Sequence, residues 1–105
     1  ANKSQKDILM APELQQLADV YTRRFMLTLL IDEPERNWEG LVGHIDKELL
    51  NSAVGAPSAY SKVFVCGPPP MVDAICGPKA SDYSQGPIKG YLGELGYSND
   101  EVFKL

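Results

Sequence analysis

The sequence predicts an α/β fold, with a mostly parallel sheet and helices on its faces, because its elements read in the order helix, strand, helix, strand, helix. Two runs carry the strands: "RFMLTLLID" (Arg24–Asp32), apolar on both alternating sets except at Thr28, and "KVFVC" (Lys62–Cys66). That pattern marks strands covered on both faces. Helical spacing of apolar residues before, between and after these runs supplies the other layers.

In the opening "SQKDILMAPELQQLADVYTRR", Ser4 can cap a first turn and Pro12 suits the first turn of a main helix. Leu14, Leu17, Ala18 and Tyr21 fall at i, i+3, i+4 and i+7, the spacing of one buried face. Arg23 and Arg24 follow, where positive charge favours a helix C-terminus. After the first strand, "DEPERNWEG" reads as a polar loop. "DKELLNSAV" reads as a short helix with Asp46 as its N-cap and with Leu49 and Leu50 turned inward. A Gly-Ala-Pro-Ser break leads to "KVFVC", expected as a central strand, and "MVDAICG" continues as a helix. The tail predicts a last helix from about Pro87 to Leu95, stopped by Gly96, and a final strand in "EVFKL". The expected sheet has about three strands, fewer than the usual five or six.

With 105 residues the chain is the size of one domain with a single core. Its 44% hydrophobic and 23% charged residues, nine Gly and eight Pro place it among ordinary globular chains. A net charge of -4 argues against a phosphate-neutralising surface, so nucleic acid is not an expected partner. The longest apolar stretch, Phe25–Ile31, falls far short of the roughly 20 residues that span a bilayer. No signal-like N-terminus is visible, and a start without Met reads as a processed or excised chain. Two cysteines, Cys66 and Cys76, are too few for a disulfide framework and lack zinc-site spacing, which leaves free thiols and no metal site as the expectation.

The stretch "KVFVCGPPPMVDAICG" (Lys62–Gly77) carries the chemistry. If "KVFVC" is a parallel strand, Cys66 stands at its carboxyl end, the edge at which open α/β sheets bind ligands. Gly67 has no Cβ to obstruct a flat ligand, and Pro68, Pro69 and Pro70 fix the turn while removing three N–H donors. One proline can open the following helix, whose N-terminus is then expected to face the ligand and favour negative charge. The same residues also read as a plain rigid strand-to-helix corner, with the cysteine buried as a small hydrophobe.

"VFVCGPPPM" resembles the C-G-P-P-P-M motif of the NADH-cytochrome b5 reductases, members of the ferredoxin-reductase-like flavoproteins. "ANKSQKDIL" is similar to that family's A-N-x-[ST]-x-x-D-I-L stretch, and "GYLGELGYSNDEVFKL" to the C-terminus of its fungal mitochondrial type. The likeness runs from Ala1 to Leu105. It implies a partial Rossmann-like parallel sheet with flanking helices, the C-terminal part of a ferredoxin-reductase-type NAD-binding domain. It further implies that Cys66, Gly67 and Pro68 line the nicotinamide pocket, with Cys66 assisting placement of the hydride-donating ring and Met71 packing beneath it. Asp7 matches the residue facing the adenosine ribose; a carboxylate accepts hydrogen bonds from a 2′-hydroxyl and repels a 2′-phosphate, which selects NADH over NADPH. His44 lies where relatives carry an aromatic residue near the adenine, a departure from the phenylalanine of that pattern. The ending "VFKL" also departs, since relatives usually end in Phe; Phe103 is the nearer aromatic.

The flavin motif R-x-Y-[ST] and the pyrophosphate turn G-T-G-I-T-P have no counterpart in the 105 residues, and Gly90, Gly93 and Gly96 do not rebuild that turn. The resemblance therefore implies one piece, residues 1–105, of an NADH-binding domain, with the first βα unit and the FAD domain lying outside it. Implied with it are NADH and FAD as cofactors, cytochrome b5 or a similar haem protein as electron acceptor, and the rest of the reductase polypeptide as partner. Any membrane attachment would come through an N-terminal anchor, in the mitochondrial outer membrane or intermembrane space, or else the endoplasmic reticulum membrane. A non-catalytic nucleotide-binding or interaction module derived from the family is the alternative.

Overall fold

The computed structural model describes residues 1–105, which divide into two compact units, 1–44 and 45–105. Parallel strand pairs and helices make up both, the partial Rossmann-like arrangement expected.

In residues 1–44, Ser4 precedes a single 3-10 turn, Gln5–Asp7, and helix α1 spans Ala11–Val20 with Pro12 in its first turn. The stripe expected to be buried on α1 is not: Leu14 and Ala18 are half-buried, while Leu17 and Tyr21 remain 42% and 47% exposed. Helical spacing decides which side chains share a face and leaves open what covers it. The run after α1 also departs from expectation. Phe25, Leu27 and Leu29 are half-buried, whereas Met26 and Thr28 face solvent, so most of it is covered on one side only. Strand β1 is limited to Leu30–Ile31, both buried.

A short strand not expected from the sequence, β2 (Leu41–Val42), pairs in parallel with β1, Leu30 against Leu41 and Ile31 against Val42. The Trp38 indole N–H fixes the approach by donating to Leu41 O at 2.9 Å. On the other side of β1, Asn2 bridges Ile31 in parallel, donating its N–H to Leu30 O at 2.9 Å. Three parallel segments thus release their carboxyl ends at one edge, followed by Ser4–Asp7, Asp32 and His44.

Residues 45–105 hold the larger core. Asp46 caps helix α2 (Lys47–Val54) as expected, its Oδ1 accepting the Leu49 N–H at 2.8 Å, a contact worth about 1 kcal/mol. Strands β3 (Val63–Val65) and β4 (Val102–Lys104) pair in parallel, Val63 with Val102 and Val65 with Lys104. The expected single sheet of about three strands is instead two separate pairs, and β3 has β4 as its one partner. Val65 and Val102 join Val72, Ile75, Cys76, Leu92 and Tyr97 in one buried cluster. Phe64 and Phe103 stack on the opposite face with ring centroids 5.3 Å apart.

Helix α3 (Pro69–Cys76) starts two residues earlier than "MVDAICG" indicates, and α4 (Gly90–Glu94) is shorter than the Pro87–Leu95 expected. The shortening has a local cause: Lys89 donates its N–H to Cys76 O at 2.9 Å, and Gly90 takes φ 61, so neither continues a helix backwards. Gly96, at φ 93, ends the segment as predicted. The Tyr97 hydroxyl lies 3.1 and 3.0 Å from the carbonyls of Val54 and Gly55, tying this turn to the end of α2.

Lys104, 1% exposed, could not be recognised as buried from its residue type. Its ammonium donates to Pro78 O at 2.8 Å and Pro87 O at 2.9 Å, closing the base of the excursion between α3 and α4. The Gln85 amide accepts the Lys104 N–H at 2.7 Å and donates to its carbonyl at 3.0 Å, standing in for a further strand.

Candidate functional site

The corner after β3 is the first candidate region. Cys66 follows the strand at its carboxyl end and is exposed, so the reading of Cys66 as a buried small hydrophobe fails. That description fits Cys76 instead, which is fully buried; burial pushes its thiol up, with the Lys104 ammonium opposing and Asp73 reinforcing the shift. In the parallel register the residue after Lys104 stands beside Cys66, and Leu105 donates its N–H to Val65 O at 2.8 Å. Leu105 therefore shares this edge.

Gly67 and Met71 fit together. A Cβ built on Gly67 would overlap Met71 Cε and lie 2.9 Å from its Sδ, so the missing side chain of one is the space taken by the other. The Met71 thioether packs on the backbone of the strand-to-helix turn at Gly67. Pro68, extended at φ -60 and ψ 151, is the N-cap of α3, and Pro69 and Pro70 fill the first two helical positions. Two prolines rather than one thus enter the helix. The expectation that this N-terminus favours negative charge is corrected too: Pro68–Pro70 carry no N–H, and Met71 and Val72 both donate to Pro68 O, at 3.0 and 3.1 Å.

Asp7 and His44 belong to residues 1–44, at the edge where the parallel segments end. Asp7 Oδ2 accepts the Ser4 hydroxyl at 2.7 Å and the Ser4 N–H at 3.2 Å, while Oδ1 takes no donor from the chain. The Ser4 hydroxyl is the main reason its carboxyl sits below the usual carboxylate range; desolvation opposes it, and the Ser4 backbone N–H, Lys6 and Lys3 add smaller lowering effects. Asp7 thus holds its own turn while leaving one oxygen outward. The spacing S-x-x-D was a signal for this pairing. His44 is exposed, with Nδ1 3.7 Å from Asp32 Oδ1, a loose pairing at a wet surface. Nothing in the spacing of Asp32 from His44 marks the pair; the β1–β2 register sets it.

A cleft of about 350 Å³ in residues 1–44, lined by Gln5, Leu27, Trp38 and Gly40 among others, includes neither Asp7 nor His44. No helix is long and apolar enough to cross a membrane. Chemically, the corner in residues 45–105 offers an exposed thiol, a glycine whose side-chain space is filled by the Met71 thioether, and a donor-poor proline wall. These suit a flat uncharged ring; the outward carboxylate oxygen of Asp7 suits a hydroxyl donor.

The oxidoreductase NAD-binding domain family matches residues 1–77. Over 105 residues, 99% of this chain, the sequence is 47% identical to the NADH-cytochrome b5 reductase 2 of Neosartorya fischeri, covering 32% of that protein. The chain thus spans about a third of the length of the curated relatives it matches. Among solved structures, the cytochrome b5 reductase domain of Ulva prolifera nitrate reductase is similar over 99% of this chain and 36% of its own, at 25% identity and a TM-score of 0.74. The CS-b5R domains of human Ncb5or in the NAD+ form share the fold over 98% of this chain and 26% of theirs, at 24% identity and a TM-score of 0.75. From its first residue through the proline corner, this chain belongs to the oxidoreductase NAD-binding domain family.

Proposed function

We propose that the chain is the C-terminal portion of the NADH-binding domain of an FAD-dependent NADH-cytochrome b5 reductase. There it positions NADH for hydride transfer to FAD and onward one-electron transfer to cytochrome b5 or a similar haem protein. The observation that carries this reading is the corner itself: an exposed Cys66 at the carboxyl end of a parallel strand, beside a glycine whose side-chain space holds Met71. The relatives' name as NADH-cytochrome b5 reductases supports it.

In this reading the corner takes the nicotinamide ring. Gly67 and Met71 give it van der Waals contact, Pro68 bounds it, and Cys66 helps to place the hydride-donating carbon without forming a covalent bond. Asp7 offers Oδ1 to the adenosine ribose hydroxyls while Ser4 holds Oδ2, and a carboxylate there disfavours a 2′-phosphate. His44 stacks on the adenine. The flavin supplies the redox chemistry when bound, and the residues of this chain supply placement. The first βα unit, the FAD domain and any membrane anchor would belong to the rest of the reductase polypeptide, with a mitochondrial location proposed by likeness to the fungal type.

The absorbance spectrum of the purified full-length protein tests this reading directly: flavin bands are expected, and their absence would favour a non-catalytic module. In that protein Cys66→Ser should leave FAD content intact and slow flavin reduction by NADH. Loss of FAD with normal reduction per bound flavin would instead make Cys66 structural. Asp7→Thr should shift the kcat/KM ratio toward NADPH, and an unchanged ratio would remove Asp7 from cofactor selection.

A further inference from the structure

A helix ordinarily leaves its first N–H groups open, which concentrates about half a positive charge at its N-terminus and makes a ready anion site. Helix α3 begins at the candidate nicotinamide corner without those open donors. Pro68 at the cap and Pro69 and Pro70 in the first two positions have no N–H. The next two N–H groups, of Met71 and Val72, both close onto Pro68 O. Side chains on the same elements do not replace the lost charge. Lys104, in register with Val65 just before the corner, is buried, its ammonium committed to the carbonyls of Pro78 and Pro87. Lys62 stands at the opposite, amino end of β3 and donates to Asp100 O at 2.6 Å. Asp73, exposed on α3, adds a negative charge about a turn further on.

We propose that Pro68–Pro70 form an anion filter, with Pro69 and Pro70 as its specificity-determining residues. The corner admits an uncharged ring and rejects phosphate, so a dinucleotide seats its nicotinamide there and cannot bind reversed with its phosphates against α3. The inference rests on the reading of this corner as the nicotinamide wall. It assigns to the triplet a selection by charge, beyond the presetting of a turn.

The test restores the donors and asks whether an anion arrives. In the ¹⁵N-labelled full chain, inorganic pyrophosphate is titrated against wild type and the Pro69→Ala/Pro70→Ala variant, following the amide signals from Cys66 to Val72. Pro68 is retained so that the cap survives. Pro70→Ala alone serves as a milder second variant, with spectral dispersion checking that each is folded. The filter predicts saturable shifts at the restored amides and binding tighter than wild type by on the order of five-fold. Equal binding by wild type at this corner, or no gain in a folded variant, overturns it. Because pyrophosphate contains no nicotinamide, this result is independent of whether the corner takes the ring, which the flavin-reduction experiment decides.

Discussion

The two units carry candidate residues on very different foundations. Residues 45–105 hold seven clustered core side chains, from Val65 to Val102, and the Cys66 corner grows directly out of that core through β3 and α3. Residues 1–44 bury Leu30 and Ile31 among their hydrophobic side chains, and α1 has no buried residue. Asp7 and His44 are therefore held by local hydrogen bonds, the β1–β2 pair and the Asn2 bridge more than by packing. Burial fixes a site through many weak contacts, whereas a surface site rests on a few polar ones that water competes for.

The largest expected effect breaks this contrast at its strong side. Leu92 is completely buried, and Leu92→Ala should cost about 2–5 kcal/mol in denaturant unfolding. Leu17→Ala, on the exposed stripe of α1, should stay within about 1 kcal/mol. Similar losses at the two positions would show that the α1 face is as well packed as the core.

Next in size is Tyr97→Phe. It removes the hydroxyl that reaches Val54 O and Gly55 O and should cost about 1–2 kcal/mol, read by thermal unfolding. An effect near zero would mean that ring burial alone ties α2 to the turn after α4.

Gly67→Ala sharpens the account of the corner. The added methyl needs the space of the Met71 thioether, so the variant should lose about 1 kcal/mol, and Met71→Ala should relieve most of that loss in a double-mutant cycle. Additive effects would separate the two residues.

The smallest effect lies in residues 1–44 and concerns pH. The Asp7 carboxyl is lowered chiefly by the Ser4 hydroxyl, so its folded value lies below its unfolded one. Its contribution is present above pH of about 4 and is lost as pH falls through the lowered folded value. Ser4→Ala should raise the Asp7 midpoint in a carboxyl NMR titration without disturbing the Cys66 corner. An unmoved midpoint would shift the cause to the lysines nearby.

Much of the chemistry was legible in the residues. Asp46 as a cap, Gly96 as a stop and the strand-to-helix corner at Cys66 follow from local backbone preferences, which operate within a few residues. The proline triplet was equally plain, yet its effect on α3 was not, because which N–H groups Pro68 O would capture depends on where the helix begins. The β2 strand leaves no mark in the sequence, since two residues carry no period and its existence rests on pairing with a distant segment.

Composition and spacing thus settled the α/β class, the order of the elements other than β2, and the residues placed at the carboxyl end of β3, all properties of short-range sterics and hydrophobic period. Long-range pairing settled the rest. The β3–β4 register brought Leu105 beside Cys66 and set Lys104 against two proline carbonyls, while packing in the core cluster buried the Cys76 thiol and left Cys66 exposed. Burial and partnership depend on what the remainder of the chain brings to a residue, and no local pattern contains that information.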